Sequence, residues 1–289
     1  MLTSWLTLPG ATDRVDRWSE STGLDLIRLG TTADAGELRD TAVAQPLLTA
    51  AALLSGRALT DAGVVPDVIS GHSIGELPAL ALADVIDDDA AVALAAGRGA
   101  AMARAAALTP TGMAAVLGGD RDEVLAAGAG HGLSLATANV AGQVVLGGPV
   151  TGIQALAADP PAGARVRLLD VAGAFHTAAM ASAADDLAGL VAGLTARTPQ
   201  AAVVANADGV VVDDGDALLG RLVGQLTGPV RFDLCLQTIA GLAPTAVIEL
   251  APGGTLAGLA KRALAGIPLV ALKTVDDLDA AHQLVAVPA

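Results

Sequence analysis

Asp67-Val-Ile-Ser-Gly71-His72-Ser73-Ile74-Gly75-Glu76 joins a short β-branched run to a helix-forming stretch, Glu76 to Leu82, through Gly-x-Ser-x-Gly. A serine between two glycines at a strand-to-helix turn is a nucleophile elbow. The expected turn is so tight that a side chain at either glycine would collide with the adjoining strand or helix, leaving Ser73 to project alone. The backbone N–H of Ile74 then faces the same space at the helix N-terminus, where the donor and the helix dipole together stabilise a developing oxyanion.

Outward from the elbow, short apolar runs alternate with longer Ala/Leu-rich stretches, the rhythm of an α/β fold. Helices are predicted over 43–62 and 87–107, the second opened by three aspartates suited to a helix N-terminus. From 109 to 175 the pattern changes: strand 113–117, helix 121–130, strands 133–137 and 144–146, helix 151–158 and strand 164–169. That order is βαββαβ, a ferredoxin-like subdomain. A helix over 177–196 and an apolar run at 202–205 resume the larger domain. A strand over 246–250, a Pro-Gly-Gly loop with a helix through Leu264, and a last strand over 269–273 complete it. The expected fold class is therefore α/β: a hydrolase-like parallel sheet core with helices on both faces, formed by 1–108 and 176–289, and an inserted ferredoxin-like subdomain, 109–175.

Composition narrows the function classes. Of 289 residues 53% are hydrophobic but only 1% aromatic, so a large core must be built from Ala, Val, Leu and Ile, and disorder is excluded. The lone Cys235 excludes an intramolecular disulfide and a cysteine-ligated zinc, and points to a reducing compartment, the cytoplasm. No metal site is expected. A net charge of −14, with no Lys/Arg run and no Tyr, argues against nucleic acid as a partner. The longest uncharged stretch, 124–158, is broken by His131, Asn139, Gln143 and repeated glycines, which argues against a membrane span. Met1-Leu-Thr-Ser-Trp5 has no export signal.

A serine nucleophile needs a base, and the chain has four histidines. His72 adjoins Ser73, and its side chain should point away from the elbow as a packing or hydrogen-bonding group. His131 and His282 fall at helical surface positions. His176, in Gly173-Ala-Phe175-His176-Thr177, stands where the chain re-enters the main domain after the insert and is the candidate base; its alternative is a helix-start histidine with no chemical part. An α/β-hydrolase would place its histidine late in the chain. A mid-chain histidine disfavours that fold while leaving Ser–His chemistry intact.

These residues resemble the malonyl-CoA:acyl carrier protein transacylases of fatty-acid synthesis and, through them, the acyltransferase domains of polyketide synthases, in their actinobacterial form. Gly71-His72-Ser73-Ile74-Gly75-Glu76 is similar to the family's Gly-His-Ser-x-Gly-Glu, and Gly97-Arg98-Gly99 with Met102 to its Arg-Gly-x-x-Met helix. Asn139 with Gln143, Gly173-Ala-Phe175-His176, Asn206, Pro229-Val230-Arg231-Phe232 and Glu249-Leu-Ala-Pro252-Gly253 follow in the family's order. The resemblance implies a ping-pong reaction in which Ser73 takes malonyl from its coenzyme A thioester and passes it to the phosphopantetheine thiol of acyl carrier protein, with no cofactor and a monomeric enzyme. It makes His176 the base and then the acid, oriented by the main-chain carbonyl of Arg231, and it assigns Arg98, Phe175 and Asn139 to substrate binding.

Chemistry supports Arg98 separately: a guanidinium grips a carboxylate through two parallel charge-assisted hydrogen bonds. Its small neighbours Gly97 and Gly99 are expected to leave room for a ligand. The ring of Phe175 beside the base disfavours a branched acyl group. Lys261 and Arg262 are candidates for a basic carrier-docking patch. Phe232 stands where the family carries Trp, and the family's opening Pro-Gly-Gln-Gly-Ser-Gln is absent. The chain thus reads as starting late, without the first strand and the second oxyanion donor. The competing readings are a related acyltransferase or thioesterase-like serine hydrolase, and a catalytically impaired acyl-carrier-binding protein.

Overall fold

A computed structural model describes residues 1–286. Two helices, α1 (Ala11–Thr22) and α2 (Leu26–Thr31), precede the long α3 (Thr41–Asp61). Strand β1 (Val68–Ile69) runs into the elbow, then α4 (Glu76–Leu82) and α5 (Asp88–Leu108). There follow β2 (Thr111–Gly118), α6 (Arg121–Gly130), β3 (Ser134–Val140), β4 (Gln143–Pro149), α7 (Val150–Ala158) and β5 (Ala164–Leu168). The chain returns through α8 (Ala181–Val191), β6 (Ala202–Val204), β7 (Val211–Val212), α9 (Gly215–Gln225), β8 (Val230–Arg231) and α10 (Phe232–Gly241). It ends with β9 (Val247–Glu249), α11 (Thr255–Ala263), β10 (Leu269–Ala271) and α12 (Leu278–Ala286).

The fold is α/β. Among the described residues the main-body strands form two short sheets, β1-β6-β7 and β9-β10, rather than one continuous sheet. β1 pairs with β6 and β9 with β10 in parallel, whereas β7 returns antiparallel after the Asp208-Gly209 turn. The strands of 109–175 lie in the order β5-β2-β4-β3, the arrangement a βαββαβ unit adopts. A fifth strand joins them from outside: β8 pairs in parallel with β3, Thr137 opposite Val230 and Ala138 opposite Arg231. Beside that seam Arg121 reaches across at 3.1 Å to Asp233, which also takes the Arg231 guanidinium.

The apolar content explains the layering. α3 and α5 are each 21 residues long, with the length and mean hydropathy of membrane spans, yet more than half of each apolar stretch is buried inside the protein. They contribute Leu47, Leu53, Val92 and Met102 to a core shared with Leu77 and Leu80 of α4 and with Trp5 and Trp18. α1 joins that core through Ala11, Val15 and Trp18, spaced i, i+4 and i+7. A separate cluster around Val116, Val124, Leu133, Leu146 and Leu156 fills the space between the β2–β5 sheet and helices α6 and α7. The helix expected over 177–196 is shorter, a 3-10 turn at Ala178–Met180 followed by α8.

Candidate active site

Parallel pairing of β1 with β6 brings the residues just past both strand ends together, so the loop after β6 meets the elbow after β1. Ser73 has φ +54, a left-handed conformation that a non-glycine residue holds only when its surroundings fix it. Its N–H donates to Asn206 Oδ1 at 2.7 Å, while Asn206 Nδ2 donates to the Gly71 carbonyl at 2.6 Å. Asn206 therefore braces both sides of the turn from a fully buried position.

The two elbow glycines prove unequal. A Cβ on Gly71 would overlap the carbonyl of Gly75 and the amide of Glu76, whereas one on Gly75 meets nothing within 4 Å. Gly75 also has an ordinary helical φ of −61. We expect Gly71→Ala to lower unfolding stability by about 1–3 kcal/mol or more, since rigid backbone must move. Gly75→Ala is expected to be neutral or to gain about 0.4–1 kcal/mol through the unfolded chain. Urea unfolding of the two variants checks the contrast; equal losses would contradict it.

His176 also has a left-handed φ, +61, and is buried. Its turn is held by Ala174 N–H donating to Thr111 Oγ1 and by Thr177 Oγ1 donating to the Ala174 carbonyl. Nε2 lies 2.7 Å from Ser73 Oγ, and Nδ1 lies 2.8 Å from the main-chain carbonyl of Gln225. A carbonyl only accepts, so Nδ1 carries the proton and Nε2 presents its lone pair to the serine hydroxyl. The expectation that Arg231 supplies this carbonyl is corrected. Gln225 is the last residue of α9, where carbonyls lack intrahelical donors, so its oxygen is free to accept. Arg231 is held in β8 instead, its N–H donating to the Asn206 carbonyl at 2.7 Å. The negative end of the α9 dipole also favours the imidazolium that forms when His176 takes a proton.

Arg98 is 1% exposed, on the buried stripe of α5 with Ala91, Leu94, Ala95 and Met102. One terminal nitrogen donates to Gln45 Oε1 at 2.6 Å; the other donates to Gln225 Oε1 at 2.7 Å and to Ser73 Oγ at 3.2 Å. The small residues flanking it do not make room for a ligand, as had been expected. A Cβ on Gly99 would meet the Thr41 carbonyl at 2.6 Å, and one on Gly97 would strike Leu190, so both glycines let α3 and α8 approach α5.

Burial dominates the electrostatics. It pushes His176 down to about 3, with the Arg98 charge adding to the effect, so the imidazole stays neutral. It pushes Arg98 down to about 10 against the attraction of Glu76. It pushes Glu76 up to about 7, opposed by the hydrogen bond from Asn206. The Glu76 carboxylate takes the Asn206 N–H at 2.7 Å and Gln225 Nε2 at 2.5 Å.

Of the other expected site residues, Asn139 lies behind the elbow: its Oδ1 accepts from His72 Nε2 at 2.9 Å, so this oxygen is committed to protein rather than open to substrate. His72 points away from Ser73 and stacks edge-on to Phe232 at 5.2 Å. Phe175 is half-buried between the main core and a small cluster of Met113, Ala136 and Val145. The N–H of Ser73 is spent on Asn206, and Ile74 follows in the first helical turn, where amides have no intrahelical acceptor. His131 is exposed, whereas His282, expected at the surface, is half-buried with Nε2 unpartnered. Among the described residues no cluster of side chains is arranged to hold a metal ion.

Gln45 and Gln225 were not picked out from the sequence. Their signal is a polar residue on a buried helical stripe: Gln225 continues Leu218 and Leu222 on α9, and Gln45 adjoins Pro46, Leu47 and Thr49 on α3.

The arrangement can perform acyl transfer through a serine ester, with an arginine poised over the nucleophile. The family profile described as "Acyl transferase domain" matches residues 8–280. A malonyl CoA-acyl carrier protein transacylase of Mycolicibacterium smegmatis is 51% identical over 290 residues, covering 98% of this chain and 100% of the relative. The crystal structure of MCAT from Mycobacterium tuberculosis superposes with a TM-score of 0.94 at 50% identity, covering 96% of this chain and 93% of that one. A malonyl-transacylase solved in complex with a type II PKS acyl-carrier protein superposes with a TM-score of 0.90 at 30% identity, covering 98% of this chain and 94% of that one.

Proposed function

Because the chain belongs to the acyl transferase domain family, among the malonyl CoA-acyl carrier protein transacylases, we propose that it transfers malonyl from coenzyme A to the phosphopantetheine thiol of acyl carrier protein in fatty-acid synthesis. His176 Nε2 takes the Ser73 proton as Oγ attacks the thioester carbonyl carbon. The tetrahedral intermediate places its oxyanion at the Ile74 N–H. On collapse the C–S bond breaks, and the His176 Nε2–H returns the proton to the departing coenzyme A thiolate. In the second half the carrier thiol gives its proton to His176 and attacks the carbonyl carbon of the Ser73 ester; on collapse the acyl C–Oγ bond breaks and His176 Nε2–H returns the proton to Ser73 Oγ. No step calls for a cofactor.

One observation carries the choice of acyl group. Arg98 is a buried cation 3.2 Å from the nucleophilic oxygen, and among the described residues no Asp or Glu lies within ion-pair distance of it. A cation held dry with no carboxylate bonded directly to it favours an acyl group that brings its own carboxylate. Malonyl does; acetyl does not. Arg98→Ala is expected to lower kcat/KM for malonyl-CoA about 10²-fold or more while acetyl-CoA changes far less. Competition between the two thioesters, read as the ester formed on Ser73, checks this. Equal losses for both would return Arg98 to a structural role.

Phe175 precedes the base and in this reading limits branching on the acyl chain. The separate core of 109–175 supports treating that segment as a subdomain inserted into the body formed by 1–108 and 176–289. Lys261 and Arg262, exposed at the end of α11, are the basic pair that the acidic carrier would meet.

A further inference from the structure

We infer that Gln45 sets the preference for a carboxylated acyl group by holding Arg98 in place without neutralising it. The inference rests on the reading of Arg98 as the holder of the acyl carboxylate.

Arg98 is gripped on two sides by amide oxygens, Gln45 Oε1 at 2.6 Å and Gln225 Oε1 at 2.7 Å. An amide accepts a charged hydrogen bond well but carries no net charge, so the guanidinium is oriented and remains a full cation. The orientation of the Gln45 amide is itself fixed. Its Nε2 donates to Thr41 Oγ1 at 2.7 Å and to Met102 Sδ at 3.3 Å, which leaves only the oxygen to face Arg98. Gly99 makes the grip possible, because α3 lies against α5 where a Cβ would meet the Thr41 carbonyl.

The other exits for the cation are closed. Glu76 acts on Arg98 through its charge alone, with its carboxylate taken up by Gln225 and Asn206. The partly buried Arg57, by contrast, is paired directly with Asp88 at 2.8 Å. An arginine that served only to hold helices together would be expected to have such a partner.

The test is Gln45→Glu, which keeps length and acceptor geometry and adds one negative charge. An internal ion pair would then compete with the substrate carboxylate. The ratio of kcat/KM for malonyl-CoA to that for acetyl-CoA is expected to fall about 10²-fold, through the KM for malonyl-CoA, with acetyl loading falling far less. In an Arg98→Ala background the same change is expected to leave the ratio alone, because Gln45 acts through Arg98. If Gln45→Glu does not fold, Gln45→Met removes the acceptor without adding charge, and an increase of about tenfold in malonyl KM with little change in kcat is expected.

A malonyl-to-acetyl ratio in Gln45→Glu within about threefold of wild type overturns the inference, and so does a shift that persists without Arg98. An unchanged malonyl KM in Gln45→Met does the same. Wild-type protein that forms no malonyl ester would instead overturn the underlying acyl-transfer reading, an outcome visible in the same experiment before any variant is compared.

Discussion

Ser73→Ala is expected to abolish ester formation and, with it, transfer. The elbow turns on a residue at φ +54 whose N–H is fixed by Asn206, so position 73 alone presents its side chain to Nε2 of His176. Alanine accommodates the same backbone but has no oxygen to form the ester, and among the described residues no second hydroxyl is hydrogen-bonded to His176 that could take its place. Rapid mixing with malonyl-CoA followed by intact mass measurement is the check. An adduct on the alanine variant at the wild-type rate would place the nucleophile elsewhere.

His176→Ala is expected to slow loading by about 10²–10⁴-fold, the range for loss of a positioned general base. The same site predicts an unusual pH profile. An unperturbed histidine loses half its basic form near pH 6.5, whereas burial and Arg98 push His176 down to about 3. The neutral form, which is the base, is the form present above the folded pKa, so lowering that pKa moves the acid limb downward. Loading is therefore expected to hold nearly level from about pH 8 to about pH 5 with respect to His176. An inflection near the value of about 7 to which burial raises Glu76 would belong to that carboxyl, and Glu76→Gln would remove it. An acid limb at the ordinary histidine value that survives Glu76→Gln would contradict the account of His176.

The parts of the site legible in the sequence are those whose chemistry lies in a side chain with a local pattern. Ser73 was legible because its glycine and β-branched context specifies one kind of turn. His176 was legible because the alternatives were few, and Arg98 because Gly97-Arg98-Gly99 with Met102 resembles the family's Arg-Gly-x-x-Met helix and a guanidinium suits a carboxylate. The histidine-orienting group was not, since a backbone carbonyl has no sequence signature. It was assigned to Arg231, whereas the free carbonyls at the end of α9 put it at Gln225. Asn206 was visible only as part of a motif, and its brace on Gly71 and Ser73 depends on the pairing of β1 with β6, more than 130 residues apart.

The same division applies to the fold. The βαββαβ order over 109–175 was readable because each of its elements carries its own apolar pattern and turn residues, while the joining of β8 to β3 depends on a long-range pairing that no local window contains. Helix α1, by contrast, carries its apolar spacing openly in Ala11, Val15 and Trp18, a signal that a local window contains. Gly97 and Gly99 were read as space for a ligand because small size is ambiguous in sequence. In the fold that space is filled by Leu190 and by the backbone of α3.

The central claim is that Ser73 carries malonyl between two thiols, and a single two-step mass measurement tests it most directly. Wild-type protein mixed with malonyl-CoA is expected to gain one malonyl group, located on the peptide containing Ser73. Addition of phosphopantetheinylated acyl carrier protein is then expected to strip that group from the enzyme and leave it on the carrier. Release of free malonate instead of transfer, or a carrier that becomes loaded while Ser73 never does, would contradict the account.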